Sequence, residues 1–134
     1  MGYRSDVAYT IRFVHDHDAN NDQSFYTFLA EAKSDPKCQI ALSEVEVDYK
    51  NKRFNFTAEN VKWYESFPDV ASHEALVGLA EEWVSQMNDG KLLCSLGVML
   101  LRLGEESTDV EERFNGDYDY DWMHMSRQII TDWS

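Results

Sequence analysis

The sequence predicts an α+β domain, a mostly antiparallel sheet with two helices on one face. Three patterns predict it. Residues 7–13 alternate apolar and polar, residues 41–57 read as a hairpin, and two stretches near 25–32 and 70–87 repeat apolar residues at helical spacing. Val7, Tyr9, Ile11 and Phe13 against Ala8, Thr10 and Arg12 give a strand with one buried face. His15 to Asn21 is a polar turn. Asp22 is then placed as an N-cap, with Phe25, Phe28, Leu29 and Ala32 on the buried side of a helix. That helix is expected to run to about Lys33 and stop before Asp35-Pro36, because a residue preceding proline resists the α region.

Ala41, Ser43, Val45, Val47 and Tyr49 face one way in the next strand, and Glu44, Glu46 and Asp48 the other. Lys50-Asn51-Lys52 turns the chain, and Phe54 and Phe56 begin the return strand. Across this hairpin the acids would face Lys52 and Arg53. Val61 to Tyr64 fits either strand or loop. Pro68 opens the second helical region, with Ser72 as the N-cap of its main part. Its stripe is Val70, Leu76, Val77, Ala80, Trp83, Val84 and Met87, and Gly90 suits its left-handed end. Val98 to Leu103 is continuous enough for a central strand. Gly104 to Asp121 reads as loop, with room for a helical turn at 109–114, and alternation resumes from Trp122 to Ile130. The order is β-α-β-β-α-β, ferredoxin-like, with an extra C-terminal strand, in one domain spanning residues 1–134.

Composition bounds the function. The 134 residues carry a formal net charge of -13 and 18 aromatic side chains, which supply enough burial for a packed core. Such a balance argues against a direct grip on nucleic acid, which needs clustered Lys and Arg, and against anionic membranes. The opening residues are polar and run straight into a strand, so no signal peptide is read. Asp6 stands where myristoylation wants Ser or Thr. The apolar run from Leu92 to Leu103 is broken by Ser95, Gly97 and Arg102 and is too short to span a bilayer. With only Cys38 and Cys94, an intracellular protein with reduced thiols is expected.

The charge is uneven. Glu105, Glu106, Asp109, Glu111, Glu112, Asp117, Asp119 and Asp121 stand against a single base, Arg113, between 105 and 121. With a Debye length of roughly 8 Å these carboxylates act together and draw a basic partner. A row of them can also stand where DNA phosphates would, making the protein a DNA mimic. The plainer reading is a solvated loop that keeps the chain soluble. Tyr118, Tyr120 and Trp122 favour an interface, since interface centres are rich in Tyr and Trp. If Asp117, Asp119 and Asp121 share a face, these aromatics point the other way and anchor the segment to the core.

Other chemistry is thinner. His15 and His17 with Asp16 and Asp18 have the look of a metal chelate, but no further ligand can be placed. Residues 117–121 lack the Gly and Glu of a calcium loop. Cys94 reads as core, and Cys38 has only Lys37 beside it. His124 and Ser126 make no triad, no Gly-rich phosphate loop occurs, and His73 reads as a surface residue in the first turn of a helix. No cofactor and no enzyme activity are expected.

Residues 1–7 (Met-Gly-Tyr-Arg-Ser-Asp-Val), 59–67, 101–105 and 126–129 together resemble a group of small acidic tailed-bacteriophage proteins of unassigned function. Trp63 and Tyr64 also have a structural reading, packing the hairpin onto the second helix. The resemblance implies a phage protein in the cytoplasm of an infected bacterium. Small acidic phage proteins often bind and inhibit host machinery, so a non-enzymatic inhibitor of a nucleic-acid-handling or defence complex (anti-CRISPR or anti-restriction) is the leading expectation, acting through residues 105–121. Exchange of Asp117, Asp119 and Asp121 for Asn is then expected to weaken binding. The alternatives are a metal-binding enzyme or sensor using His15 and His17, and a homo-oligomeric structural protein joined at a sheet edge.

Overall fold

The computed structural model describes residues 3–13, 19–91, 94–106, 108–125 and 129–131. Strand β1 (Ser5–Phe13) leads to helix α1 (Ala19–Ser34), a 3-10 turn at Pro36–Cys38 and helix α2 (Gln39–Glu44). Strands β2 (Glu46–Asp48) and β3 (Arg53–Val61) form the hairpin, and helix α3 (Pro68–Asn88) follows. Strands β4 (Leu96–Gly104) and β5 (Val110–Gly116), a 3-10 turn at Tyr120–Trp122, and the short strands β6 (Met123–Met125) and β7 (Ile129–Thr131) complete the chain. The architecture is α+β: a five-stranded sheet in the order β2-β3-β1-β4-β5, antiparallel throughout, and a separate β6–β7 ribbon.

Alternation places Tyr9, Ile11 and Phe13 of β1 in the helix-side core with Phe54, Phe56, Leu96, Val98 and Leu100. Phe25, Phe28, Leu29 and Ala32 of α1 close over them, as their spacing predicts. The α3 stripe from Val70 to Val84 is buried too. Aromatic edges fix the packing: Phe28 lies 5.3 Å from both Phe54 and Trp83, and 5.7 Å from Phe13.

Several elements depart from the sequence reading. Asp22 lies inside α1, which begins at Ala19, so it is not the N-cap. Residues 39–44 are helical, not strand, and only Glu46–Asp48 extend. Pro36 and the Asp35 side chain, which accepts from the Lys37 N–H at 2.9 Å, start a turn that carries into α2. Cys38, Ala41, Leu42 and Val45 fall at the i, i+3, i+4, i+7 spacing of a helix and pack into the core, and only Ala41 and Val45 of them also fit the alternation. Asp48 stands opposite Arg53 as expected, but Glu44 sits on a helix and pairs elsewhere. Ser72 is interior to α3, because Pro68 at the first turn pre-sets φ and starts the helix earlier; its Oγ instead accepts the Ala41 N–H at 2.8 Å.

The segment 104–121 is not a loop either. Its middle is β5, whose α3-facing residues are polar and so hide the alternation. Arg113 donates to Glu74 at 2.6 Å and also to Glu81, both on α3, and Asn115 Nδ2 donates to Glu81 at 2.5 Å. The expected C-terminal strand is the β6–β7 ribbon outside the main sheet. It brings Met123 onto Ala8, Met99 and Leu101, so both faces of β1 are buried rather than one, and Thr10 is fully buried with its Oγ bonded to Asn55. Arg12 on that face stacks over the Trp122 ring at 4.6 Å. A third helix, α2, joins the two that were expected.

Candidate functional site

The acidic residues singled out in the sequence fall into two groups, one at each end of β5. Only residues 113–116 lie between Glu112 and Asp117, so about 17 Å of extended strand separates the groups. At the far end Asp117, Asp119 and Asp121 are exposed, and Asp119 is occupied as the cap of the 3-10 turn, accepting from the Asp121 N–H at 2.8 Å. Tyr118 packs inward, stacked on Phe114 at 5.3 Å, and Trp122 joins the same cluster. The side chain of Tyr120 lies outside the described residues.

At the near end the carboxylates meet aromatic side chains from distant parts of the chain. Asp109, Glu111 and Glu112 line a cleft of about 590 Å³ together with Glu65 and Glu74. Tyr3, Trp63 and Tyr64 supply its aromatic walls. The connection from β3 to α3 carries Trp63, Tyr64 and Glu65 to this place, and the Tyr64 hydroxyl accepts the Tyr3 N–H at 2.6 Å.

Among the described residues Arg102 is the one base lining the cleft, and its charge is used internally. It grips Asp109 with two hydrogen bonds of 2.8 and 3.1 Å, and its Nε reaches Glu111 at 3.3 Å. Hydrogen bonds from Arg102, then from the Tyr3 hydroxyl, hold the Asp109 carboxyl down at about 2. Glycine at 104 leaves the space over its backbone that the Asp109 carboxylate and the Tyr3 hydroxyl occupy. A β-carbon there would lie 2.2 Å from an Asp109 carboxylate oxygen and 2.3 Å from the Tyr3 hydroxyl. Glu105 and Glu106 sit beside this corner, where Glu105 accepts the Arg4 N–H at 2.9 Å and the Glu106 N–H donates to the Tyr3 hydroxyl at 3.1 Å. Five carboxylates line the cleft; Arg102 and, through Glu74, Arg113 offset two of the five charges, so it stays net negative, and its walls focus the field. Glu65 and Glu112 are exposed. Such a cleft suits a cation with an apolar stem.

A second constellation was missed in the sequence. His73 is 1% exposed, so the surface reading is corrected. It stands three residues after Val70 and four before Val77, on the buried stripe of α3, so its ring enters the core. Nδ1 lies 2.6 Å from the Tyr9 hydroxyl and Nε2 lies 2.9 Å from Glu44 Oε1, while the ring stacks on Phe56 at 4.0 Å. A carboxylate only accepts, so in the neutral ring Nε2 carries the proton and Nδ1 accepts from Tyr9. Both nitrogens are occupied and Tyr9 is fully buried, so the network ties β1 and α2 to α3 rather than offering a free base. A cavity of about 390 Å³ adjoins it, lined by Glu44, Lys62, Asp69 and His73 among others, and Trp63 is common to both cavities.

Burial lowers the His73 pKa below its ordinary 6.5, with Glu44 opposing. The unfolded chain therefore takes up the proton first. The contribution is complete above about pH 6.5 and is lost as pH falls below it, toward the folded value. The protein is expected to lose thermal stability between pH 7 and 5 by an increment that a His73→Gln variant lacks. Parallel pH profiles for the two proteins would contradict this.

The remaining chemistry is placed as follows. His15 and His17 lie outside the described residues. Among the described residues no three His, Cys, Asp or Glu side chains converge to hold a metal. Cys38 is buried and Cys94 half-buried, both as free thiols, and burial pushes the Cys38 thiol up to about 11, away from thiolate chemistry. No described helix is long and apolar enough to cross a membrane. Comparison with family models, curated proteins and solved structures returned no match.

Proposed function

We propose that the protein is a non-enzymatic binding module that captures a basic segment of a partner protein in the cleft between β5 and the β3–α3 connection. The observation that carries this reading is the cleft lining: five carboxylates and three aromatic side chains, with Arg102 held by Asp109 and Glu111, Glu74 held by Arg113, and Glu65 and Glu112 exposed. Carboxylates attract a lysine or arginine head, and aromatic faces hold its stem and charge. The overall charge of -13 adds steering toward a basic surface. In the wider reading the chain is a phage accessory protein that inhibits a host nucleic-acid-handling or defence complex, supported by the acidity and by the sequence resemblance. The strand order β2-β3-β1-β4, antiparallel throughout, supports reading the core as ferredoxin-like with β5 added.

The test is titration calorimetry with an acetylated, amidated eight-residue peptide alternating arginine and valine. Binding is expected to weaken as salt rises. The Glu65→Gln, Glu112→Gln double variant is expected to bind about tenfold more weakly, or roughly 1.4 kcal/mol. The Asp117→Asn, Asp119→Asn, Asp121→Asn variant is expected to lose less. A larger loss from the triple variant would move the interface to the far end of β5 and overturn the cleft reading.

A further inference from the structure

The five-stranded sheet has two edges, and they differ. One is β2, only three residues long; the other is β5, with seven. Short edges resist further pairing, whereas long ones offer a row of backbone donors and acceptors. The direction of that row follows from the register. Gly104 N–H donates to Asp109 C=O at 2.8 Å, and Asp117 N–H donates to Leu96 C=O at 3.0 Å. Odd-numbered residues therefore turn their backbone groups toward β4 in this antiparallel ladder. The N–H and C=O groups of Val110 and Glu112 turn outward. Among the described residues, no strand lies beyond β5.

We propose that this edge of β5 takes an extended basic segment of the partner as an added strand, with alternate lysine or arginine side chains entering the cleft. Main-chain hydrogen bonds supply affinity in this mode, and alternate side chains supply specificity. Side chains of an added strand lie beside those of β5 on each face. On the α3 side they meet Glu111 and on the other side Glu112, and both residues line the cleft. The same charges select the occupant. An acidic strand is repelled, and a second copy of this chain brings a further net charge of -13 to the same edge. A strand with alternate bases gains on the face where they lie.

The inference rests on the cleft reading, and the experiment separates the two. The arginine–valine peptide is compared with two forms, one N-methylated at every valine and one at every arginine. N-methylation removes the hydrogen-bond donor and keeps the charge. One of the two methylated peptides is expected to bind at least tenfold more weakly than the parent, and the other within threefold of it. On the protein side, Glu112→Pro removes an outward N–H and leaves the β4 ladder intact, so it is expected to weaken binding about tenfold beyond Glu112→Gln, with little change in melting temperature. Binding of all three peptides within threefold of one another overturns the added strand and leaves the cation cleft standing. Absence of binding by all three at low salt overturns both.

Discussion

Replacing Arg113 with methionine is expected to cost about 3 kcal/mol of stability, the low end for breaking a buried ion pair. The guanidinium sits between Glu74 and Glu81, and its hydrogen bonds to the two carboxylates raise its pKa further against the cost of burial. The three side chains are only 24–27% exposed, so removing the cation strands two carboxylates with little water. They are seven residues apart on α3, two helical turns, and both face β5. Asn115 helps hold Glu81 but brings no charge. Loss of the cation therefore loosens the strand that forms one wall of the cleft. Adding Glu81→Gln to Arg113→Met should recover part of the loss in denaturant melts. A single variant within about 0.5 kcal/mol of the parent, the range of ordinary surface changes, would contradict the clamp.

Phe28→Ala is expected to cost about 3–5 kcal/mol, the usual range for emptying a fully buried aromatic site. Phe28 is 0% exposed and touches rings from three other elements: Phe13 on β1, Phe54 on β3 and Trp83 on α3. Phe13 and Trp83 also touch each other edge to face, so the rings brace one another and cannot close the gap cheaply. At about 3–4 °C per kcal/mol for a chain of this size, the melting temperature should fall by about 10 °C or more. Phe28→Leu should lose much less. Equal losses from the two variants would indicate that the aromatic packing is not what fixes α1 to the sheet.

Much of this core was legible in the sequence, because α1, α3, β1, β3 and β4 each carry a strong apolar period. The misreadings share a cause: two periods fit one short stretch, or polar residues face inward. Ala41 and Val45 suit a helix as well as a strand, while Cys38 and Leu42 join them only at helical spacing, and Ser72 on α3 accepts the Ala41 N–H. Strand β5 was read as loop because Arg113 and Asn115 take the inward places that apolar residues usually fill. Of the cleft, Asp109, Glu111 and Glu112 were legible as charge. Tyr3, Trp63, Tyr64, Glu65 and Glu74 were not, since long-range folding alone brings them there. The buried His73 gave one faint signal, a histidine set between the apolar positions Val70 and Leu76 of α3.

An amide and indole NMR titration with the arginine–valine peptide tests the cation cleft most directly. Shift changes are expected at the Trp63 indole N–H and at the amides of Val110, Glu111 and Glu112, with the amides of Asp117, Asp119 and Asp121 nearly unmoved. Changes confined to Asp117–Asp121, with Trp63 silent, would contradict it.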